Sequence, residues 1–242
     1  MERRRFLHGT TAAGAAVVAG GALTATAVSG GPASAAPRRT APLRVDIVMF
    51  DGVEDLDCVA PYTVFVYGRE RVKVRYVTMG RPGLIRSAHG VGFQVEHRWS
   101  PEKADVIVVP GGGYLRSEEA GVWAEIRRGV LPRALADASR EGLTISSVCT
   151  GAVLLSAAGL TKGRPCTTHQ LAKAELAAQG GLVKNARVVD DGDLVTAGGV
   201  SSGLELGLWL FKREIGSDAV LEVEEILEYE PRGTVWTAHS SS

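Results

Sequence analysis

Short apolar runs alternate with amphipathic stretches along most of this chain. Leu43 to Phe50 is almost continuously apolar, as expected of a strand covered on both faces. Asp51-Gly52 turns the chain, and Leu56 to Tyr67 carries apolar residues at helical spacing, with Pro61 expected in the first turns. Val72 to Met79 reads as a second strand and Gly90 to His97 as a further extended segment. Asp105 to Val109 is a buried strand that stops at Pro110-Gly111-Gly112-Gly113. Trp123 to Ala138 is helical by periodicity, with an interruption expected at Pro132. Leu143 to Val148 is another buried strand, running directly into Cys149, and a helix restarts at Gly151.

Beyond it, Arg164 to Thr168, Arg187 to Val189 and Leu194 to Ala197 read as strands. A helix at Leu171 to Ala178 separates the first two, and helices follow from Ser202 and from Ser217. Strands alternating with helices, without internal repeats, predict an α/β fold: a mostly parallel sheet with helices on both faces and right-handed crossovers. In such sheets a ligand site lies beyond the carboxyl ends of the strands. Three polar or glycine-rich segments fall there: the loop Asp51 to Asp57, the turn Gly111-Gly112-Gly113, and Cys149-Thr150-Gly151.

Composition narrows the picture. The chain has 242 residues, 45% of them hydrophobic, which suits one sizeable core. Lys plus Arg equals Asp plus Glu at 27 each, and no basic cluster follows the first residues, which argues against nucleic-acid binding. Arg3-Arg4-Arg5-Phe6-Leu7 and the Ala/Gly-rich stretch Thr11 to Val28 have the order of a secretory signal, and the paired arginines point to the twin-arginine route. Ala33-Ser34-Ala35 offers small residues for cleavage after Ala35, and the glycines in the apolar run argue against a membrane anchor. The expected organisation is a signal peptide over 1–35, a linker over 36–42, one domain over 43–231 and a tail over 232–242. The expected location is the cell envelope, periplasm or exterior, reached with the help of the twin-arginine translocase.

Cys58, Cys149 and Cys166 cannot all pair within one chain, and their spacing fits neither a disulfide framework nor a zinc site. Cysteine is often simply a small buried hydrophobe, and composition alone favours that for all three. The context Ser147-Val148-Cys149-Thr150-Gly151 changes the reading for Cys149. A thiol at a sharp strand-to-helix turn is held exposed at the sheet's edge, and the following helix N-terminus is expected to lower its pKa. Asp57 stands where a helix N-cap is expected, and Asp51 and Asp55 read as turn residues. Glu54 reads as a solvated charge.

Several blocks occur in order: Phe50-Asp51-Gly52-Val53 with Leu56-Asp57 and Ala60-Pro61, Val109-Pro110-Gly111-Gly112, Ser147-Val148-Cys149-Thr150-Gly151 and Ala157-Ala158-Gly159-Leu160. Thr167-Thr168-His169, Arg187-Val188-Val189, Gly198-Gly199-Val200 and Leu227-Glu228-Tyr229 follow. Together they resemble the ThiJ/PfpI superfamily of class I glutamine amidotransferase-like proteins, and within it the isonitrile hydratase branch, from about Leu43 to Pro231. The resemblance implies a flavodoxin-like three-layer sandwich, a nucleophilic Cys149, an acidic partner in Asp57, and Thr150 beside the nucleophile. It also implies an oxyanion pocket built from backbone near Gly112, Gly113 and Thr150, with His169 close to the thiol.

The activity so implied is hydration of an organic isonitrile to an N-substituted formamide through a thioimidate on Cys149. A small-molecule substrate and a homodimer come with it, and no metal or organic cofactor. Protease-like members carry histidine directly after the nucleophile, where this chain has Thr150, which argues against proteolysis. Three alternatives use the same site: a glyoxalase or deglycase acting on 2-oxoaldehydes, a thiol that senses oxidants, and a ligand-binding module without turnover. Cys58 and Cys166 read as core thiols, with Cys166 also a conceivable resolving partner for an oxidised Cys149.

Overall fold

The structure, a computed structural model, describes residues 39, 41–115 and 120–238. The expected signal peptide and four of the seven linker residues (36, 37, 38 and 40) lie outside the described residues. The first half contains β1 (Leu43–Val48), α1 (Asp55–Val66), β2 (Val72–Thr78), β3 (Gly83–Arg86), β4 (Gly92–Val95), β5 (His97–Arg98), β6 (Val106–Val109), α2 (Val122–Arg128) and α3 (Val130–Ala138). The second contains β7 (Thr144–Ser147), α4 (Gly151–Ala157), β8 (Pro165–Cys166), α5 (Lys173–Ala178), β9 (Leu182–Val183), β10 (Val188–Asp191), β11 (Leu194–Ala197), α6 (Ser202–Ile215), α7 (Ser217–Leu227) and β12 (Val235–Thr237).

The main sheet runs β12-β10-β11-β7-β6-β1-β2-β5, parallel throughout except for the antiparallel pair β10 and β11. Its central order, β2-β1-β6-β7-β11, is flavodoxin-like, and the topological switch point falls between β1 and β6. Helices α1, α6 and α7 pack together, as do α2, α3, α4 and α5. The two groups cover the sheet, so its central strands are buried: Val45, Ile47, Val106, Val108 and Val195 are fully enclosed. Asp46, also buried on β1, is held by a two-point ion pair with Arg75, at 2.7 and 3.0 Å. Helix α1 approaches α6 closely where Gly203 and Gly207 face Pro61 and Val64.

The parallel α/β reading is borne out, with local corrections. The expected helix Trp123 to Ala138 breaks at Gly129, in the left-handed region (φ 69°), and not at Pro132. Pro132 is the third residue of α3, where no intrahelical N–H is required. Pro61, by contrast, lies in the interior of α1. The extended segment around Gly90 is one arm of a hairpin, β3–β4, whose first arm shows no clear alternation in the sequence. Strand Arg164 to Thr168 shortens to Pro165–Cys166. Residues 235–237, left to the tail by the sequence, add an edge strand to the main sheet beside β10. Among the described residues no helix is long and apolar enough to cross a membrane.

Candidate active site

The loops after β1, β6 and β7 converge at the switch point, as the sequence pattern predicted. Cys149 sits just past β7 with φ 56°, a strained left-handed conformation for a residue with a side chain. The surroundings hold it there. Its N–H is shared between the carbonyls of Ala197 (3.2 Å) and Gly198 (2.9 Å), and its own carbonyl accepts from Thr168 Oγ1 at 2.8 Å. Gly151 packs so tightly against Val109 that any side chain there would overlap the Val109 carbonyl. This is a nucleophile elbow in the physical sense.

Asp57 reaches the elbow from the first turn of α1. It is not the N-cap; Glu54 occupies that position, and Asp57 is the third helical residue, turned inward. Its side chain is fully buried. Oδ2 accepts from Gly111 N–H at 2.9 Å, while Oδ1 has no nitrogen or oxygen partner, and the carboxyl interacts with the Cys149 sulfur. Burial pushes the Asp57 pKa up to about 8, against the pull of the Gly111 N–H, so the carboxyl is largely protonated at neutral pH. A side chain at Gly111 would meet the Thr150 hydroxyl, the Thr150 nitrogen and Asp57 Oδ2, which explains the glycine.

The expectation that the helix terminus lowers the Cys149 pKa is reversed. Burial, followed by the neighbouring Asp57, pushes the thiol well above its ordinary value. The first N–H groups of α4 are used locally, since those of Gly151, Ala152 and Val153 bond to Val148, Cys149 and Thr150. Only the N–H and hydroxyl of Thr150 favour the thiolate. Burial raises both members of the pair and a charge on Asp57 raises the thiol further, so the two hold at least one proton between them near neutrality.

Thr150 Oγ1 also accepts from Gly112 N–H at 3.1 Å. That occupies one of the backbone donors expected to face an oxyanion. Gly113 N–H makes no hydrogen bond among the described residues, and Gly113 lines the cavity of about 260 Å³ into which Cys149 opens. His169 lines it too. It caps a short turn at Gln170–Ala172, with Nδ1 accepting from Leu171 N–H at 3.2 Å and the ring pressed against Gly199. In the neutral ring the proton is therefore on Nε2.

Three residues that sequence reasoning passed over belong to this neighbourhood. Thr168 supports the elbow carbonyl. Glu54 is not a solvated charge: it lines the cavity half-buried, its pKa raised by burial. His89, from the β3–β4 loop, lines the opposite rim, with Nδ1 2.7 Å from Asp55 Oδ2 and 3.6 Å from Glu54 Oε1. Proximity to Asp57 and His169 was a faint signal for Glu54 and Thr168. None existed for His89, which arrives by way of the hairpin. Glu54, Asp55 and His89 place one ligand-type atom each within 4.8 Å of one another, but the His89–Asp55 contact is already satisfied as a charged hydrogen bond.

Fold and site together define a flavodoxin-like α/β protein with a cysteine elbow and a buried carboxyl beside the sulfur. Residues 43–213 match the DJ-1/PfpI family, and the chain belongs to that family. An isonitrile hydratase of Pseudomonas putida is 31% identical over 192 residues, covering 78% of this chain and 79% of that protein. A deglycase of Thermococcus kodakarensis is 28% identical over 159 residues, 64% of this chain and 89% of its own. Among solved structures, a ThiJ/PfpI family protein from Pseudomonas syringae superposes with a TM-score of 0.71 at 26% identity, over 78% of this chain and 76% of that one.

Proposed function

We propose that this protein hydrates an organic isonitrile to an N-substituted formamide. The observation that carries the reading is the buried, largely protonated Asp57 carboxyl against the Cys149 sulfur. The terminal carbon of an isonitrile must gain both a nucleophile and a proton, and this pair supplies both. Sulfur bonds to the carbon while Asp57 delivers a proton to that carbon and takes up the thiol's, leaving a thioimidate on Cys149 and Asp57 again protonated. Water then adds to the thioimidate, and collapse releases formamide and thiol. Thr150, through its N–H and hydroxyl, steadies sulfur whenever it is charged, and Gly113 N–H offers a donor to the oxygen introduced by water. The similarity to isonitrile hydratase supports the substrate class.

The test is formamide formation from cyclohexyl isonitrile by the purified protein, beside Cys149→Ala and Asp57→Ala. Turnover lost in both variants is the expected result. A wild type that forms no formamide while consuming methylglyoxal would replace this reading with a deglycase-like one, which the similarity to deglycases favours. Peroxide-sensitive modification of Cys149 without turnover of either substrate would make it a sensor.

Export through the twin-arginine route is part of the proposal and rests on the arginines and apolar run of the leader. So is a homodimer, supported by Leu56, Val59 and Val66, which lie exposed along one stripe of α1. N-terminal sequencing of the exported protein and light scattering test the two.

A further inference from the structure

A second cavity, of about 380 Å³, adjoins the first, and His169 lines both. Cys149 lines only the first, but the second is walled by residues that hold the elbow in place. Thr168 donates its hydroxyl to the Cys149 carbonyl at 2.8 Å, and the Gly198 carbonyl accepts from Cys149 N–H at 2.9 Å. The proposed hydration makes no use of this second space.

Its wall carries an unbalanced charge. Lys173 and Arg187 line the cavity, and no aspartate or glutamate does. The two cations are not equivalent. Arg187 is balanced by the buried Glu205, which accepts from its Nε at 3.2 Å and its Nη2 at 2.8 Å, and Nη2 also donates to Ser201 Oγ at 3.0 Å. Lys173 is half-buried at the start of α5. Its Nζ donates to Asn185 Oδ1 at 3.0 Å, and among the described residues no carboxylate lies within ion-pair reach of it. That hydrogen bond fixes the ammonium and leaves two of its N–H donors free, together with the Asn185 amide N–H₂. The same wall carries the Gln170 amide and the Thr234 hydroxyl, which have no hydrogen-bond partner among the described residues.

We propose that this second cavity binds a small polar organic acid with a single carboxylate. The carboxylate lies on Lys173 and Asn185, and hydroxyl groups on the remainder of the molecule meet Gln170 and Thr234. Charge sets the class, because one uncompensated ammonium matches one carboxylate and a dianion would bring a second charge with nothing to meet it. Volume excludes a bare inorganic ion as the fitting ligand, since cavities for small organic molecules begin at about 300 Å³. Polarity sets the rest: donors line the space in place of the apolar walls that a hydrocarbon acid would need.

The test is calorimetric titration of the purified full chain with L-lactate, D-glycerate and D-gluconate, and with D-gluconamide as the neutral counterpart of gluconate. Wild type, Lys173→Met and Lys173→Arg are compared. Gluconate should bind wild type one to one, more tightly than lactate, and more weakly as salt rises. Removing the ammonium in Lys173→Met, or the carboxylate in gluconamide, should each weaken binding about tenfold or more. Lys173→Arg, which keeps the charge, should retain most of the affinity. Gluconate should raise the Tm of wild type and Lys173→Arg but not that of Lys173→Met. Should Lys173→Met fail to fold, the gluconate and gluconamide pair on wild type still decides. Equal binding of that pair overturns the assignment, as does undiminished binding in a folded Lys173→Met or no binding by any of the three acids. Inorganic phosphate that displaces gluconate at equal concentration would reduce the wall to a general anion contact and overturns it too.

Discussion

Cys149 and Cys166 are both buried thiols near the carboxyl ends of parallel strands, yet their surroundings differ in kind. Cys166 closes the two-residue β8, its φ outside the left-handed region, packed with Ala152 and Leu176 in a small satellite cluster and pushed up to about 11 by burial. Cys149 is also raised by burial, but its backbone is forced into the left-handed region and a protonated carboxyl lies against the sulfur. Burial by itself therefore does not mark a reactive thiol, and neither does pKa. A strained, fixed position and a buried, protonated carboxyl beside it separate the two. Each thiol also has a nearby glycine that leaves no room for a side chain: one at Gly111 would meet Thr150 and Asp57, the neighbours of Cys149, and one at Gly181 would meet the Cys166 sulfur itself.

The largest effect expected from that contrast is on turnover. Cys149→Ala should reduce formamide formation at least about 10³-fold, as loss of a nucleophile does, while Cys166→Ala should leave kcat within about twofold. Equal losses would erase the distinction. Next, Gly111→Ala should displace Asp57 or Thr150 and cost roughly 10²-fold in kcat, the scale of an ångström misplacement at a reacting centre. Gly181→Ala should instead lower stability by about 1–3 kcal/mol through overpacking and spare the activity, as thermal melts beside initial rates will show.

Read per pH unit, the smallest effect is a pH-dependent one. With Asp57 raised from its ordinary 3.8 to about 8, the folded protein holds this proton more tightly than the unfolded chain does. The stability it contributes is complete below about 3.8 and is lost as pH rises through about 8. Asp57→Asn has no such loss. Its stability relative to wild type should therefore grow by up to about 1.4 kcal/mol per pH unit across that window and level off above it. Denaturant midpoints at several pH values check this, and a flat difference would mean that Asp57 is ionised in the fold.

Much of this was legible in the sequence. Continuous apolar runs such as Val106–Val109 mark strands covered on both faces, and glycines after them mark the turns at their carboxyl ends, so the placement of Asp57, Gly111 and Cys149 around one point followed from periodicity. The hairpin was not legible. Gly83–Arg86 is too short and too mixed to read as a strand, and its meaning depends on what it pairs with. Residues 235–237 likewise become a strand only beside β10.

What the sequence determined by itself was the alternation of strands and helices, the parallel sheet, and a thiol at a strand-to-helix turn, because these depend on local pattern and on residues close in the chain. The tertiary structure decided the state of that thiol and its company. Whether a carboxyl is protonated, which N–H groups are already bonded, and whether His89 and Glu54 face the cavity all depend on desolvation and on contacts between residues distant in sequence. Those quantities exist only once the chain has closed around them.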